Sequence, residues 1–273
     1  MIGVAIDVGG TFTDCLVSYD GQNLFTKTQT TTYDLSVGFM RALREAASSV
    51  GVSLEELLEA VQIIRYSTTL AMNRLIEMKG PRLGLITTAG FEDTMFTGRG
   101  GCWADGLSLR EMRCMPRLTK PQPLIPRYMV VGVKERVDFR GNVVRPLDEH
   151  DVLVKLRCLV DQGAQGFAVS LIYGYVNPLH EQRIRELIRQ EYPESYLGSM
   201  PVVLSAEVAP KWREYTRTVA TVLNAYLHQA MASELAGMGD ELRAAGYNRS
   251  LMMVHNTGGM AEVFRTTALN TFN

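Results

Sequence analysis

Apolar positions in the first thirty residues come in short β-branched blocks, the pattern of strands. Ile2–Val8, Asp14–Tyr19 and Leu24–Gln29 predict three of them, and Asp20-Gly21 between the last two marks a hairpin turn. The period then lengthens. Val37, Met40, Leu43 and Ala47 predict a helix over 36–48, and a second short one covers Leu54–Val61. Ile63–Ser67 and Leu83–Thr87 predict strands on either side of a helix over Thr68–Met78. Phe96–Arg127 follows neither period and contains four prolines, so it reads as a long ordered loop of functional or interface character. Beyond it come a strand at Val130–Val137, a turn at Arg140-Gly141-Asn142, and a helix, strand and helix at Val152–Gln162, Gly166–Tyr173 and Pro178–Glu191.

Asn177-Pro178 supplies a helix N-cap and first position, which makes His180 and Glu181 first-turn packing residues. The longest helix is expected from about Trp212 to Ala236, with Trp212, Tyr215, Val219, Val222 and Tyr226 on one stripe. Asn224 lies in that stripe and is expected to be a buried, hydrogen-bonded amide. Leu251–Val254 is a last strand, emptying into His255-Asn256-Thr257-Gly258-Gly259. Alternating strands and helices opened by a hairpin predict an α/β fold with a mixed sheet.

Composition narrows the class. The 273 residues are 46% hydrophobic and 21% charged, an ordinary globular balance. Lys and Arg number 28 against 29 Asp and Glu, which argues against nucleic acid or an anionic membrane surface as partner. No apolar run approaches ~18 residues and no signal peptide opens the chain, so a cytoplasmic location is expected. Cys15, Cys102, Cys114 and Cys158 are scattered, as are the four histidines. Reduced thiols are expected rather than disulfides, and no metal cluster.

The sharpest chemical signal is Asp7-Val8-Gly9-Gly10-Thr11-Phe12-Thr13-Asp14. Paired glycines let a ligand approach the backbone, Thr11 and Thr13 offer hydroxyls, and Asp7 at a strand end can hold hydrated Mg²⁺. No Gly-Lys-Ser/Thr follows and Gly-x-Gly-x-x-Gly is absent, so this is neither a Walker nor a Rossmann loop. A strand follows rather than a helix. The turn is therefore the tip of a hairpin.

This strand-turn-strand unit resembles the first phosphate loop of the actin–hexokinase–Hsp70 class of ATPases. Other segments are similar, in order, to the hydantoinase/oxoprolinase family. They include Tyr66-Ser67-Thr68-Thr69-Leu70-Ala71-Met72-Asn73, Gly84-Leu85-Ile86-Thr87-Thr88-Ala89-Gly90-Phe91-Glu92-Asp93 and Lys120-Pro121 through Pro126-Arg127. Glu135-Arg136-Val137-Asp138, Asn177-Pro178-x-His180-Glu181, Glu214-Tyr215-x-Arg217, Asn224-Ala225-Tyr226 and Thr257-Gly258-Gly259 continue the likeness. Within that family, Gly100-Gly101-x-Trp103-x-Asp105-Gly106 resembles the ketone-carboxylase branch, of acetone and acetophenone type. Tyr66 stands where the family usually has His, and Asn256-Thr257 replaces a Ser-Asn or Ser-Asp pair.

The resemblance implies a ribonuclease-H-like ATPase lobe of actin/Hsp70 type, with an additional α/β subdomain. It divides the chain into a hydantoinase/oxoprolinase N-terminal region, 1–200, and the start of the hydantoinase A-type domain, 201–273. ATP and Mg²⁺ are the implied cofactors, with a small carbonyl compound or bicarbonate and other carboxylase subunits as partners. Asp7 and Asp14 would be catalytic, with Asp7 on the metal. Gly9, Gly10, Thr11, Phe12, Thr13, Thr257, Gly258 and Gly259 would bind nucleotide, and Thr68, Thr69, Asn73, Arg99 and Lys120 would face substrate. The alternatives are an ATP-dependent hydantoin or 5-oxoproline amidohydrolase and a non-catalytic structural lobe. The family's second phosphate loop has no counterpart in these 273 residues, so they are expected to be the first lobe of a longer polypeptide and inactive alone.

Overall fold

The computed structural model describes residues 2–98, 101–120, 122–195 and 200–271, with 101 and 102 described in backbone only. The chain forms two compact units, residues 1–80 with 227–273 and residues 81–226. The first begins with strands β1 (Gly3–Val8), β2 (Phe12–Tyr19) and β3 (Gln22–Gln29). Helices α1 (Leu35–Val50) and α2 (Leu54–Ala60), strand β4 (Ile63–Thr68) and helix α3 (Leu70–Ile76) follow. The second holds β5 (Leu83–Thr88), α4 (Thr94–Thr97), α5 (Leu109–Met112), β6 (Val130–Val133), β7 (Arg136–Val137), β8 (Val143–Arg145), α6 (Glu149–Asp161), β9 (Gly166–Ser170), α7 (Leu179–Glu191), β10 (Val202–Leu204) and α8 (Ser205–Val208). Helix α9 (Glu214–Ala244) leads to β11 (Leu251–Val254) and β12 (Met260–Glu262).

The first unit is built on a six-stranded mixed sheet in the order β12-β11-β4-β1-β2-β3. β1 pairs antiparallel with β2 and parallel with β4, which in turn pairs parallel with β11. One face buries Val4, Ile6, Val8, Cys15 and Val17, and α1 packs against β1, β2 and β3 with Phe39 and Leu43 fully buried. The register between β2 and β3 follows from their two-residue turn. Asp20 at φ 48° and Gly21 at φ 79° are the left-handed pair that a tight hairpin needs. Tyr66, the departure from the family's histidine, is a core residue. Its ring is wholly buried and meets Phe39 edge-on at 5.8 Å.

The second unit has a parallel four-stranded sheet, β10-β9-β5-β6, whose central β5 and β9 are buried along their whole length. Past the C-terminal ends of these strands, buried polar groups brace the loops. Glu135 accepts from Thr88 Oγ1 on one carboxylate oxygen and meets His180 Nδ1 at 2.8 Å on the other. Glu181 takes the Leu171 amide, the Ser205 hydroxyl and the Ala206 amide at 2.6–2.9 Å. Arg217, 1% exposed, donates to Ser205 Oγ and to the carbonyls of Leu171 and Lys211. Packing is therefore what His180 and Glu181 do, but through hydrogen bonds rather than apolar contact.

Most expected elements form within a residue or two of their bounds. Trp212 is a correction. It lies outside α9 and is 67% exposed, because Arg213 at φ 76° breaks the helical path immediately before Glu214. The stripe is real from Tyr215 onward, and the helix continues two turns past Ala236. Val37 is another: it is exposed, since α1 turns Leu35, Phe39, Leu43 and Ala46 to the sheet. Asn224 is buried as expected. Among the described residues no helix is long and apolar enough to cross a membrane.

Arg217→Met keeps the apolar stem but removes the three donors that the guanidinium gives this buried cluster. We expect it to cost on the order of 3–5 kcal/mol of stability, read as a lower midpoint in denaturant unfolding. A midpoint equal to wild type would show that the cluster is not structural.

Candidate functional site

The hairpin turn between β1 and β2 is closed by a hydrogen bond from the Gly9 amide to the Phe12 carbonyl, 3.0 Å. Any side chain at Gly9 would place its Cβ 3.0 Å from that carbonyl, so the turn closes this tightly only with glycine there. A Cβ at Gly10 would sit 3.4 Å from the side-chain nitrogen, Nδ2, of Asn73. Thr30, just past β3, holds the turn from outside. Its amide donates to the Thr11 carbonyl at 2.9 Å and its hydroxyl to the Gly9 carbonyl at 2.9 Å. The amides of Gly10 and Thr11 make no hydrogen bond to described residues.

Thr13 corrects the expectation of two outward hydroxyls. Two residues before Cys15 on β2, it shares the buried face, is fully inaccessible, and shares a 3.0 Å hydrogen bond with Thr30. Its work is to stiffen the turn. Thr11 and Phe12 are exposed.

Gly9, Gly10, Thr68, Thr69 and Asn73 line a single cleft of about 350 Å³, together with Arg74 and Glu234. Thr68 is a turn residue: its hydroxyl accepts from the Leu70 amide at 3.1 Å. Thr69 Oγ1 and Arg74 Nε are buried with no hydrogen-bond partner among the described residues. Two orphaned polar groups in one cleft wall, one of them cationic, suit an anionic ligand.

The carboxylates stand on the opposite side of the sheet from α1. Register pairs Asp7 with Ser67 on one side and Asp14 on the other, and Asp14 in turn with Lys27. Ser67 donates to Asp7 Oδ1 at 2.6 Å, and Lys27 Nζ meets Asp14 Oδ1 at 2.6 Å. Sequence reasoning missed Ser67, Thr30 and Lys27. Among the described residues no three His, Cys, Asp or Glu side chains cluster to hold a metal. A hydrated Mg²⁺ suits this donor set, since it needs only a carboxylate or two and completes its shell with water and phosphate oxygens. Asp7, exposed and without a cationic partner among the described residues, fits that better than Asp14, which already has Lys27.

Thr257, Gly258 and Gly259 form the exposed turn from β11 to β12, closed by His255 and Gly259 at 2.8 Å. β1, β4 and β11 run parallel, so Gly9-Gly10, Thr68-Thr69 and this turn all leave the sheet at the same, C-terminal edge. That edge is where open α/β sheets place ligands. The Thr257–Gly259 turn does not line the cleft beside Gly9. Lys120 belongs to the second unit, its ammonium 4.8 Å from the centre of the Trp103 ring. Arg99 lies outside the described residues.

Residues 3–192 match the hydantoinase/oxoprolinase N-terminal region. The chain belongs to the hydantoinase/oxoprolinase family. It is 50% identical over 270 residues to the acetophenone carboxylase gamma subunit of Aromatoleum aromaticum, covering 99% of this chain and 37% of that protein. The acetone carboxylase beta subunit of Xanthobacter autotrophicus is 32% identical over 263 residues, covering 94% of this chain and 36% of that subunit. Among solved structures, nucleotide-free acetone carboxylase superimposes with a TM-score of 0.91 at 29% identity, over 99% of this chain and 38% of that one. The ATP-dependent caprolactamase of Pseudomonas jessenii gives 0.87 at 29% identity, with the same coverage. The chain thus spans little more than a third of the length of these relatives.

Cys15, beside Asp14 in this family member, faces the core, and burial pushes its thiol up to about 12. Cys114 and Cys158 are exposed free thiols. Alkylation of the native protein at pH 8 is expected to label Cys114 and Cys158 and to reach Cys15 only after unfolding. Mass spectrometry that finds Cys15 modified in the native state would contradict the packing of β2 on α1.

Proposed function

We propose that this chain is the ATP-binding lobe of an ATP-dependent ketone carboxylase subunit. The observation that carries the reading is the β1–β2 turn. It has two amides that no described residue engages, glycines at its closest contacts and an exposed Asp7 beside it, all at the C-terminal edge of the parallel strands. The order β3-β2-β1-β4-β11, three antiparallel strands followed by two parallel ones, supports a ribonuclease-H-like lobe of actin/Hsp70 type. A division near residue 200, into an N-terminal region and the start of an A-type domain, is part of the same proposal.

In this reading the Gly10 and Thr11 amides hold phosphate oxygens, and Ser67 fixes the rotamer of Asp7 toward the metal. Asp14, neutralised by Lys27, orients water. Mg²⁺, when bound, screens the charge that builds on the phosphates. Phosphoryl transfer asks little else of a protein than positioning and charge neutralisation. The phosphate acceptor would be the ketone as its enol, or bicarbonate, either of which makes carbon–carbon bond formation downhill. The 50% identity to an acetophenone carboxylase subunit favours carboxylation. The caprolactamase subunit alpha, at 30% identity over 273 residues, keeps ATP-dependent opening of a cyclic amide as the second reading. Partner subunits would complete the site.

Asp7→Ala in the full assembly should abolish ATP turnover, with a loss of at least about 100-fold, while leaving the thermal midpoint within a few degrees, since Asp7 is exposed. Phosphate release at the wild-type rate from a folded variant would refute the assignment. Incorporation of labelled bicarbonate into a ketone, set against hydrolysis of a lactam, separates the two reactions.

A further inference from the structure

The cleft beside the β1–β2 turn has a second wall, made by α3 and the turn that precedes it. Thr69 stands at the N-cap of α3, where a threonine hydroxyl usually accepts a helix amide. Here it does not. Thr68 Oγ1 has taken the Leu70 amide, and Thr69 Oγ1 is buried without a partner among the described residues. One turn further along, Asn73 brings its side-chain nitrogen to the Gly10 side of the cleft. Arg74 follows. Its Nε is buried and unpartnered, and its guanidinium forms no ion pair and no hydrogen bond with a described residue.

Other charged groups that line the cleft are engaged. Lys79 Nζ meets Glu77 Oε2 at 2.9 Å. Glu234 Oε1 accepts the Leu35 amide at 3.0 Å, where the first turn of α1 favours a negative charge. Arg74 is left with its charge uncompensated among the described residues, in a cleft that it shares with Gly9 and Gly10. A guanidinium is a planar fork that matches a phosphate with two hydrogen bonds at once, which an ammonium cannot do. A buried donor and a buried acceptor without partners regain what they lost to desolvation only when a polar ligand arrives.

We infer that Arg74, seconded by Thr69, meets the terminal phosphate of a bound triphosphate from α3, while the Gly10 and Thr11 amides meet it from the turn. The inference rests on the ATP-binding reading and names the side chains that tell ATP from ADP at that site. The transferred phosphoryl group carries negative charge that spreads over its outer oxygens as the bond to ADP breaks. A guanidinium whose Nε is already packed into the wall takes up that charge with little reorganisation. ADP ends one phosphate short, so it loses this contact and keeps the rest.

The test is isothermal titration of the full chain with Mg-ATP, Mg-ADP and magnesium tripolyphosphate. Arg74→Gln should weaken Mg-ATP about tenfold and Mg-ADP less than about twofold. Thr69→Val, nearly the same in shape, should weaken Mg-ATP about threefold, again with less than about a twofold change for Mg-ADP. An unchanged Mg-ATP affinity in Arg74→Gln overturns the inference, as does equal weakening of both nucleotides, which would mark a structural role. If that variant does not fold, Thr69→Val decides by the same two criteria. The tripolyphosphate arm lets the two readings fail separately. Tripolyphosphate binding that Arg74→Gln weakens about tenfold, in a chain that binds no nucleotide, upholds the phosphate contact and sinks the ATP-binding lobe. Mg-ATP binding that Gly10→Val abolishes and Arg74→Gln leaves intact does the reverse. A wild-type chain that binds none of the three probes overturns both.

Discussion

Everything in the first unit depends on β1 being hydrogen-bonded on both sides with opposite polarity. Antiparallel pairing with β2 forces a tight reversal immediately after Val8, and parallel pairing with β4 brings a second strand to its end at the same edge. The two constraints together set Ser67, Asp7, Asp14 and Lys27 in one row across four strands. They also leave the turn between them with amides that the sheet cannot use. A helix following β1, as in dinucleotide folds, would also leave its first-turn amides free for a ligand and would add its dipole to them. Here a strand follows, and the turn is braced sideways by Thr30 instead.

That bracing has an energetic logic. Two carboxylates facing each other on adjacent strands repel, and the row relieves this at both ends, with a hydroxyl on Asp7 and an ammonium on Asp14. The Lys27 pair is half exposed and contributes little to stability. Its consequence is asymmetry: one carboxylate is satisfied within the sheet and the other is left able to take a cation. The second unit solves a different problem. Its parallel strands end among buried charges, and Glu135, Glu181 and Arg217 hold the loops beyond them with nearly every polar atom engaged.

Much of this was legible before any coordinates. The Asp20-Gly21 hairpin was read from the sequence, and counting back from it would have set Lys27 opposite Asp14, a step that was not taken. Period-two alternation along β2 likewise puts Thr13 on the face of Cys15 and Val17, which overrides its appeal as an outward hydroxyl. Ser67 was beyond reach, because no local turn sets the register of a parallel pair. His180, at the start of α7, and Glu135, just past β6, are 45 positions apart, and no local pattern announces their contact. Trp212 misled because apolar spacing extends a stripe smoothly, while one left-handed residue, Arg213, keeps the helix from starting before Glu214.

The central claim is that the β1–β2 turn receives phosphate oxygens through its backbone. It is tested most directly by following the amide resonances of the full chain while Mg-ATP is added. The account predicts that Gly10 and Thr11 shift most, that Asn73 and Thr69 follow, and that ADP in place of ATP reduces the Gly10 and Thr11 shifts. Saturable shifts confined to residues away from this turn, with Gly10 and Thr11 unmoved, would contradict it.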